Sequence, residues 1–185
     1  LQEFLDELRI TKLPIALDAE RASGFRYGQK AYLLQIAIKD SKIFLIDPVA
    51  PFSASLWEEF IQAVGSHAWI IHAASQDLPC LTEMNLKPTK ILDTELAARL
   101  LGLPRVALGT LTEHYLQLRL AKEHSAVDWS ERPLPANWLN YAALDVELLV
   151  ELRDEVDALL EAADKSHWAE QEFAAILAAP PSPPR

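Results

Sequence analysis

Five side chains in this 185-residue sequence have the types and spacings needed to manage a divalent cation. Asp18 and Glu20 lie two apart in Ile15-Ala16-Leu17-Asp18-Ala19-Glu20, which alternates like a strand. Strand residues two apart share a face, so both carboxylates point away from Ile15, Leu17 and Ala19. Two carboxylates this close repel, and one is driven toward protonation unless a cation sits between them. Hard ions that prefer oxygen ligands, Mg²⁺ or Mn²⁺, suit that place. Asp77 follows the apolar run Ala68–His72 and precedes Leu78-Pro79. Tyr141 and Asp145 are four apart in a helical pattern, hence on one face and one turn apart. Each has an ordinary structural explanation as well. A strand with one wet face commonly carries two acids. Asp77 stands where it would cap a helix beginning at Leu78 and Pro79, and Tyr141 and Asp145 would suit the boundary of an amphipathic helix.

The elements that would carry these residues are legible from periodicity. Leu1, Phe4, Leu5 and Leu8 give a short amphipathic helix, ended before Pro14. Strands are expected at 15–20, 31–38 and 42–47, the first two separated by the Gly24- and Gly28-containing segment 21–30. Three strands at this spacing make an antiparallel meander. A helix is expected at 53–64 with Ser53 as its cap, then a strand at 68–72 and helices at 78–84, 93–101 and 108–116. Residues 119–136 read as a loop, 136–163 as one long helix and 167–178 as a last one. A meander followed by strand and helices points to an α/β fold, a mixed sheet of about five strands flanked by helices.

Composition narrows the class. Half the residues are apolar and about a quarter charged, the balance of one globular domain with a real core. The lone Cys80 excludes a disulfide framework and a cysteine zinc site. No apolar run approaches the roughly 20 residues that span a bilayer, and acidic Leu1–Ile10 is not a signal peptide. A chain that starts at Leu1 reads as a processed piece of something longer. The net charge of −10 argues at first sight against a nucleic-acid binder. Its distribution matters more. Residues 1–144 carry 14 basic and 17 acidic groups, and residues 145–185 carry 3 and 10. Most of the excess therefore forms one solvated helix face. The most basic stretch is 21–42, with Arg21, Arg26, Lys30, Lys39 and Lys42.

In combination these motifs resemble the 3′–5′ exonuclease domain of ribonuclease D, in the tyrosine subclass of the DEDD exonucleases. Leu17-Asp18-Ala19-Glu20 with Gln35 in Leu33-Leu34-Gln35-Ile36 matches the first motif of that family. Ile71-His72-Ala73-Ala74-Ser75-Gln76-Asp77-Leu78 matches the second, and Tyr141-Ala142-Ala143-Leu144-Asp145 the third. Leu92-Asp93-Thr94, Lys122 and Asp128-Trp129-Ser130-Glu131-Arg132-Pro133-Leu134-Pro135 lie between, in the family's order. Ala19, Gln76 and Val127 depart from its commoner residues, and none of these is a metal ligand.

The resemblance implies a ribonuclease H-like fold and hydrolysis of phosphodiesters with two ions, Mg²⁺ or Mn²⁺. Asp18, Glu20 and Asp145 would hold one ion, Asp18 would bridge to the second, Asp77 would support that one, and Tyr141 would orient water. It further implies RNA 3′ ends as substrate, single-stranded and drawn from tRNA precursors, nucleoside 5′-monophosphates as products, a cytoplasmic location, and neither a membrane nor an obligate protein partner. A DNA exonuclease and a silent RNA-binding module are the alternatives. Candidate substrate contacts are Arg21, Arg26, Lys30, Gln35, Lys122, Trp129 and Arg132, with Phe25 and Tyr27 as further aromatics. His72 is expected to complete a strand and Asp93 to cap a helix. The expected organisation is an exonuclease domain at 1–164, a helix at 165–179 and a Pro-rich linker at 180–185, beyond which the family's helical nucleic-acid-binding domain would follow.

Overall fold

A computed structural model describes residues 1–120 and 127–179. In chain order the elements are α1 (Gln2–Ile10), β1 (Ile15–Arg21), β2 (Ala31–Ile38), β3 (Ile43–Ile46), α2 (Ala54–Gly65), β4 (Trp69–Ile71), α3 (Leu78–Glu83), β5 (Ile91–Asp93), α4 (Thr94–Leu100), α5 (Leu108–Leu111), α6 (Ala136–Glu147), α7 (Leu149–Ala162) and α8 (Ser166–Ala178). The five strands form one sheet in the order β3-β2-β1-β4-β5. The expected meander is its antiparallel half, and β4 and β5 extend β1 in parallel. This is the mixed α/β sheet of the ribonuclease H-like class.

Alternation along β1 decides which side chains face which layer. Ile15, Leu17 and Ala19 enter the main core, with Phe4, Leu5 and Leu8 of α1 and Phe60 and Val64 of α2. The other face carries Ala16, Asp18 and Glu20. There Ala16, Ala37 and Ile70 pack against Val146, Leu149 and Val150, and Leu33 packs against Ala142 and Trp129. The α6–α7 segment thus closes the face on which both β1 carboxylates emerge. Ser53 caps α2, its side chain accepting from the Leu56 N–H at 3.3 Å.

Two elements differ from the sequence expectation. Strand β5 lies outside the expected strands, since three residues show too little alternation to be read and Asp93 falls at the start of the expected helix 93–101. The expected helix 136–163 is two helices meeting at Leu148. No Pro or Gly marks the break. It falls where α6, lying across β1, β2 and β3, gives way to α7, which packs on α4, α8 and β4. Helix α8 is no appendage, because Ala169 and Phe173 are buried in the main core.

Asp93 is expected to cap a helix, and it also does more. Its Oδ1 accepts from the N–H groups of Glu95 and Leu96 at 2.9 and 3.1 Å, capping α4. The same carboxylate accepts from Ala73 and Ala74 N–H at 3.1 and 2.8 Å, fixing the turn after β4. Ala73 there adopts a left-handed conformation, φ 59°, which is costly for a residue with a Cβ. Asp93→Ala leaves four backbone donors without their acceptor and is expected to cost about 3 kcal/mol. Asp93→Asn turns an amide N–H₂ toward one of those donors and should cost about 2 kcal/mol. Urea denaturation checks both, and wild-type stability in Asp93→Ala would show that the turn is held by other means.

Candidate active site

Each expected carboxylate is delivered by a different device. Asp18 and Glu20 come from strand alternation on β1. Asp145 comes from α6, which lies across that strand, and ligand oxygens of Asp18, Glu20 and Asp145 lie within 4.8 Å of one another. Asp77 comes from the turn that Asp93 pins, is 5% exposed, and borders the same cleft of about 290 Å³ as Asp18, Glu20, Tyr141 and Asp145. It occupies the N-cap position of α3, yet its side chain makes no capping bond, so the carboxylate is free for the cleft. The Tyr141 hydroxyl donates a hydrogen bond to Asp145. A larger cleft of about 590 Å³ lies near the far ends of the strands, between α7 and α8. Its cations are already paired, Arg153 with Asp157 and Lys90 with Glu170.

Burial sets the electrostatics of the acid cluster, and mutual repulsion adds to it. Burial and then the charges of Asp18, Asp145 and Asp77 push Glu20 up to about 9. Asp77 rises to about 8 through burial and Asp18, against the opposing pull of Arg21. Asp145 rises to about 7 through burial and Asp18, moderated by the Tyr141 bond. Burial raises Asp18 too, opposed by the Ala19 backbone N–H and by Arg21. The Tyr141 hydroxyl is raised by burial and by Asp145 and Glu20, so it stays protonated at neutral pH. Four oxygen-bearing acids that resist charging together, with little to neutralise them, form a donor set fit for hard divalent cations.

One cation does reach the cluster. An Arg21 terminal nitrogen lies 3.5 Å from Asp77 Oδ1. Strict alternation would send Arg21 to the face opposite Glu20. The β1–β2 register shifts there, Glu20 pairing with Leu33 and Arg21 with Ala31, so Tyr32 is an extra residue on β2. Such a bulge increases the local twist and re-aims neighbouring side chains.

The other substrate candidates fall into distinct places. Arg26 is exposed, and its Nε donates to Ser130 Oγ at 2.9 Å. The Lys30 ammonium lies 5.6 Å from the Tyr32 ring centroid, also at the surface. Phe25 is 55% exposed and Tyr27 fully so. Trp129, by contrast, is buried against Leu33 and Ala142 with its ring against Trp138, so it offers no face to a base. Gln35 is fully buried as well and cannot touch a substrate directly. Arg132 is occupied internally. It grips Asp47 through Nε and a terminal nitrogen at 2.7 and 2.8 Å and donates to the carbonyls of Trp129, Glu131 and Tyr32. Those five bonds match the five donors of a guanidinium. They fasten the segment before α6 to the β2 bulge and hold the Asp47 carboxyl below its usual range. No local sequence pattern signals this role, because Asp47 and the Tyr32 carbonyl lie 85 and 100 residues away, and Arg132 is expected instead as a substrate contact. Lys122 lies outside the described residues. His72 sits just past β4 with Nδ1 2.9 Å from Thr94 Oγ1, a strand-end role.

The sequence model of the 3′–5′ exonuclease family matches residues 1–161. The chain belongs to that family. Ribonuclease D of Jannaschia sp. (strain CCS1) is 33% identical over 168 residues, covering 88% of this chain and 43% of that protein. A solved protein from Bifidobacterium adolescentis is 46% identical with a TM-score of 0.90, over 100% of this chain and 45% of that one. Escherichia coli RNase D, described as an exoribonuclease involved in structured RNA processing, is 25% identical with a TM-score of 0.82, over 95% and 47%. The resemblance to ribonuclease D carried by the motifs is thereby borne out. The chain spans a little under half the length of these relatives.

A cation held by the acid cluster would be read directly as a gain in stability. Mn²⁺ at about 100 times its dissociation constant is expected to add about 2.7 kcal/mol, a rise in Tm of about 5–10 °C for a domain of this size. Asp18→Asn removes the charge that burdens Glu20, Asp77 and Asp145, so the metal-free variant should melt higher than metal-free wild type. Its Mn²⁺-induced rise should be largely lost. A variant that responds to Mn²⁺ as wild type does would remove Asp18 from the ligand set.

Proposed function

We propose that this domain is a metal-dependent exoribonuclease that shortens RNA from its 3′ end, releasing nucleoside 5′-monophosphates. The observation that carries this is the convergence of Asp18, Glu20 and Asp145 within 4.8 Å, bordered by Asp77 and Tyr141, in a 3′–5′ exonuclease fold. Asp18, Glu20 and Asp145 would hold one Mg²⁺ or Mn²⁺ ion, and Asp18 with Asp77 the second. Bound there, the two ions would supply Lewis-acid stabilisation of the charge that develops on the phosphoryl oxygens and the departing 3′-oxygen.

The chain's own residues supply the positioning. The Tyr141 hydroxyl, protonated at neutral pH and anchored on Asp145, is suited to orient the attacking water rather than to deprotonate it. Attack of the water oxygen on phosphorus breaks the P–O3′ bond, which leaves the 5′-phosphate on the released nucleotide and a new 3′-hydroxyl on the shortened strand. Arg21, at the cleft, is placed for a phosphate. The loop that leaves β1 presents Phe25, Arg26, Tyr27 and Lys30 together, two exposed aromatic rings interleaved with two cations. Exposed rings beside basic groups are how single-stranded ends are held, by stacking and charge together. This loop is tied down through Arg26 to Ser130 and by N–H bonds from Phe25 and Arg26 to the Ala22 carbonyl. Gly28, at φ 97°, turns the chain back toward β2. Single-stranded 3′ ends of tRNA precursors are the substrate that the ribonuclease D resemblance points to, and a following helical domain would aid their capture. Among the described residues no helix is long and apolar enough to cross a membrane.

Incubation of 5′-end-labelled RNA and DNA with Mg²⁺ or Mn²⁺ tests the reaction. Stepwise shortening of RNA from the 3′ end, lost with chelator and in Asp18→Ala, is expected. Metal-independent cleavage, or cleavage retained in Asp18→Ala, would refute the assignment, and preference for DNA would refute the substrate class. For the loop, Phe25→Ala and Tyr27→Ala are each expected to weaken single-stranded RNA binding about tenfold, within the ~1–3 kcal/mol of a lost stacking contact. Fluorescence anisotropy reads this, and unchanged affinity in the double variant would show that the rings do not carry bases.

A further inference from the structure

Gln35 poses a physical problem that the proposed chemistry leaves unsolved. Its side chain is fully buried, and neither amide nitrogen nor amide oxygen has a hydrogen-bond partner among the described residues. Leaving a buried polar group unsatisfied forfeits its hydration with nothing in return, and a methionine of similar length would avoid that cost. Buried polar groups without partners are rare enough that each calls for a reason.

Its place in the sheet supplies one. Gln35 on β2 is the direct cross-strand partner of Asp18 on β1. Directly opposed residues project to the same face with Cβ atoms about 4.5–5.5 Å apart. Leu33 and Ala37, two residues to either side, pack on the α6–α7 side of the sheet, Leu33 with Ala142 and Ala37 with Val146. Gln35 therefore lies between them, beneath the helical turn that carries Asp145 and beside the carboxylate that touches both proposed ion positions. Asp18 is short of donors. It receives the Ala19 backbone N–H, and its carboxylate is burdened by burial. Carboxylates that bind metals are themselves held by hydrogen bonds that fix their orientation.

We propose that Gln35 is the positioning residue for Asp18: when a cation binds, its amide N–H₂, unpartnered without the ion, turns to donate to the Asp18 carboxylate and sets the orientation in which that carboxylate would serve two cations. The amide has no hydrogen-bond partner among the described residues and is walled off from substrate, so Asp18, its cross-strand neighbour, is the group it can act through. This rests on the reading that the acid cluster holds divalent ions. It replaces a direct substrate contact for Gln35 with a role behind the ligands.

The experiment is calorimetric titration of the metal-free protein with Mn²⁺, using wild type, Gln35→Met, Gln35→Leu and the packing control Leu33→Met. Removing a supporting hydrogen bond of this kind is expected to weaken Mn²⁺ binding 10- to 100-fold. The metal-free Gln35→Met variant should melt no lower than wild type, because the orphaned amide is gone, and Leu33→Met should bind Mn²⁺ normally. With saturating Mn²⁺, exonuclease KM for RNA is expected to stay within about twofold of wild type while kcat falls. Wild-type Mn²⁺ affinity in Gln35→Met or Gln35→Leu overturns the proposal, as does a rise in KM with metal affinity intact. Should neither variant fold, the Gln35 side-chain amide signals of the wild type are followed by NMR during Mg²⁺ titration. Movement in step with Asp18 carboxyl carbon supports the proposal, and silence overturns it. Absence of any divalent binding by wild type would instead sink the metal reading itself.

Discussion

The constraint on which this structure turns is the crowding of half-buried and buried carboxylates in one cleft, where lost hydration and mutual repulsion act together. Two unit charges at 4.8 Å, the widest separation in the cluster of three, repel by about 3.5 kcal/mol at an effective dielectric near 20. Asp18, Glu20 and Asp145 form three such pairs, and Asp77 adds its own charge from the neighbouring turn. Left alone, that cluster holds protons at pH values where exposed carboxylates would have lost them. The fold must therefore carry an arrangement that weakens it without a cation. Proteins tolerate such local costs where function is built, offset by burial elsewhere.

The offset comes from a scaffold that gives the acids little freedom to separate. Asp18 and Glu20 are fixed by pairing β1 between β2 and β4, the centre of the sheet. The Asp77 turn is fixed by Asp93, one carboxylate serving two backbone segments. The approach to α6, which brings Tyr141 and Asp145, is fixed by Arg132, whose bonds join three stretches of chain. Neither Asp93 nor Arg132 touches the cleft chemistry. Both spend buried or half-buried charge on backbone geometry, which is where strong charge-assisted bonds hold best.

The same constraint gives the overall charge its meaning. Asp18, Glu20 and Asp77 account for the whole acidic excess of residues 1–144, which otherwise balance at 14 basic and 14 acidic groups. The remaining excess lies largely on the outward faces of α7 and α8, where Glu151, Glu155, Glu161, Glu170 and Glu172 are exposed. An acidic total is thus compatible with a polyanionic substrate, because the negative charge at the cleft is the part that bound cations would neutralise. The basic and aromatic loop follows β1 directly, and its first cation, Arg21, lines that cleft.

The sequence by itself determined what local physics controls. Period-two alternation placed Asp18 and Glu20 on one face, helical spacing paired Tyr141 with Asp145, and Ser53 and Asp93 were recognisable caps, because these depend on residues a few positions apart. The motif set also carried the family. What it could not carry were facts set by distant neighbours. Trp129 and Gln35 read as substrate contacts, and only the packing of α6 on β2 shows them buried. Arg132 read as a phosphate ligand until the fold brought Asp47 and the Tyr32 carbonyl to it across 85 and 100 residues. Arg21, expected as a substrate contact, does stand at the cleft, but its pairing with Asp77 beside a shift in strand register is not legible in the sequence. Strand β5 and the break at Leu148 left no local mark, since a three-residue strand and a helix divided by docking depend on their neighbours. Residue type and spacing fix which groups are able to act. Burial, register and long-range pairing, which are properties of the assembled chain, decide which of them meet.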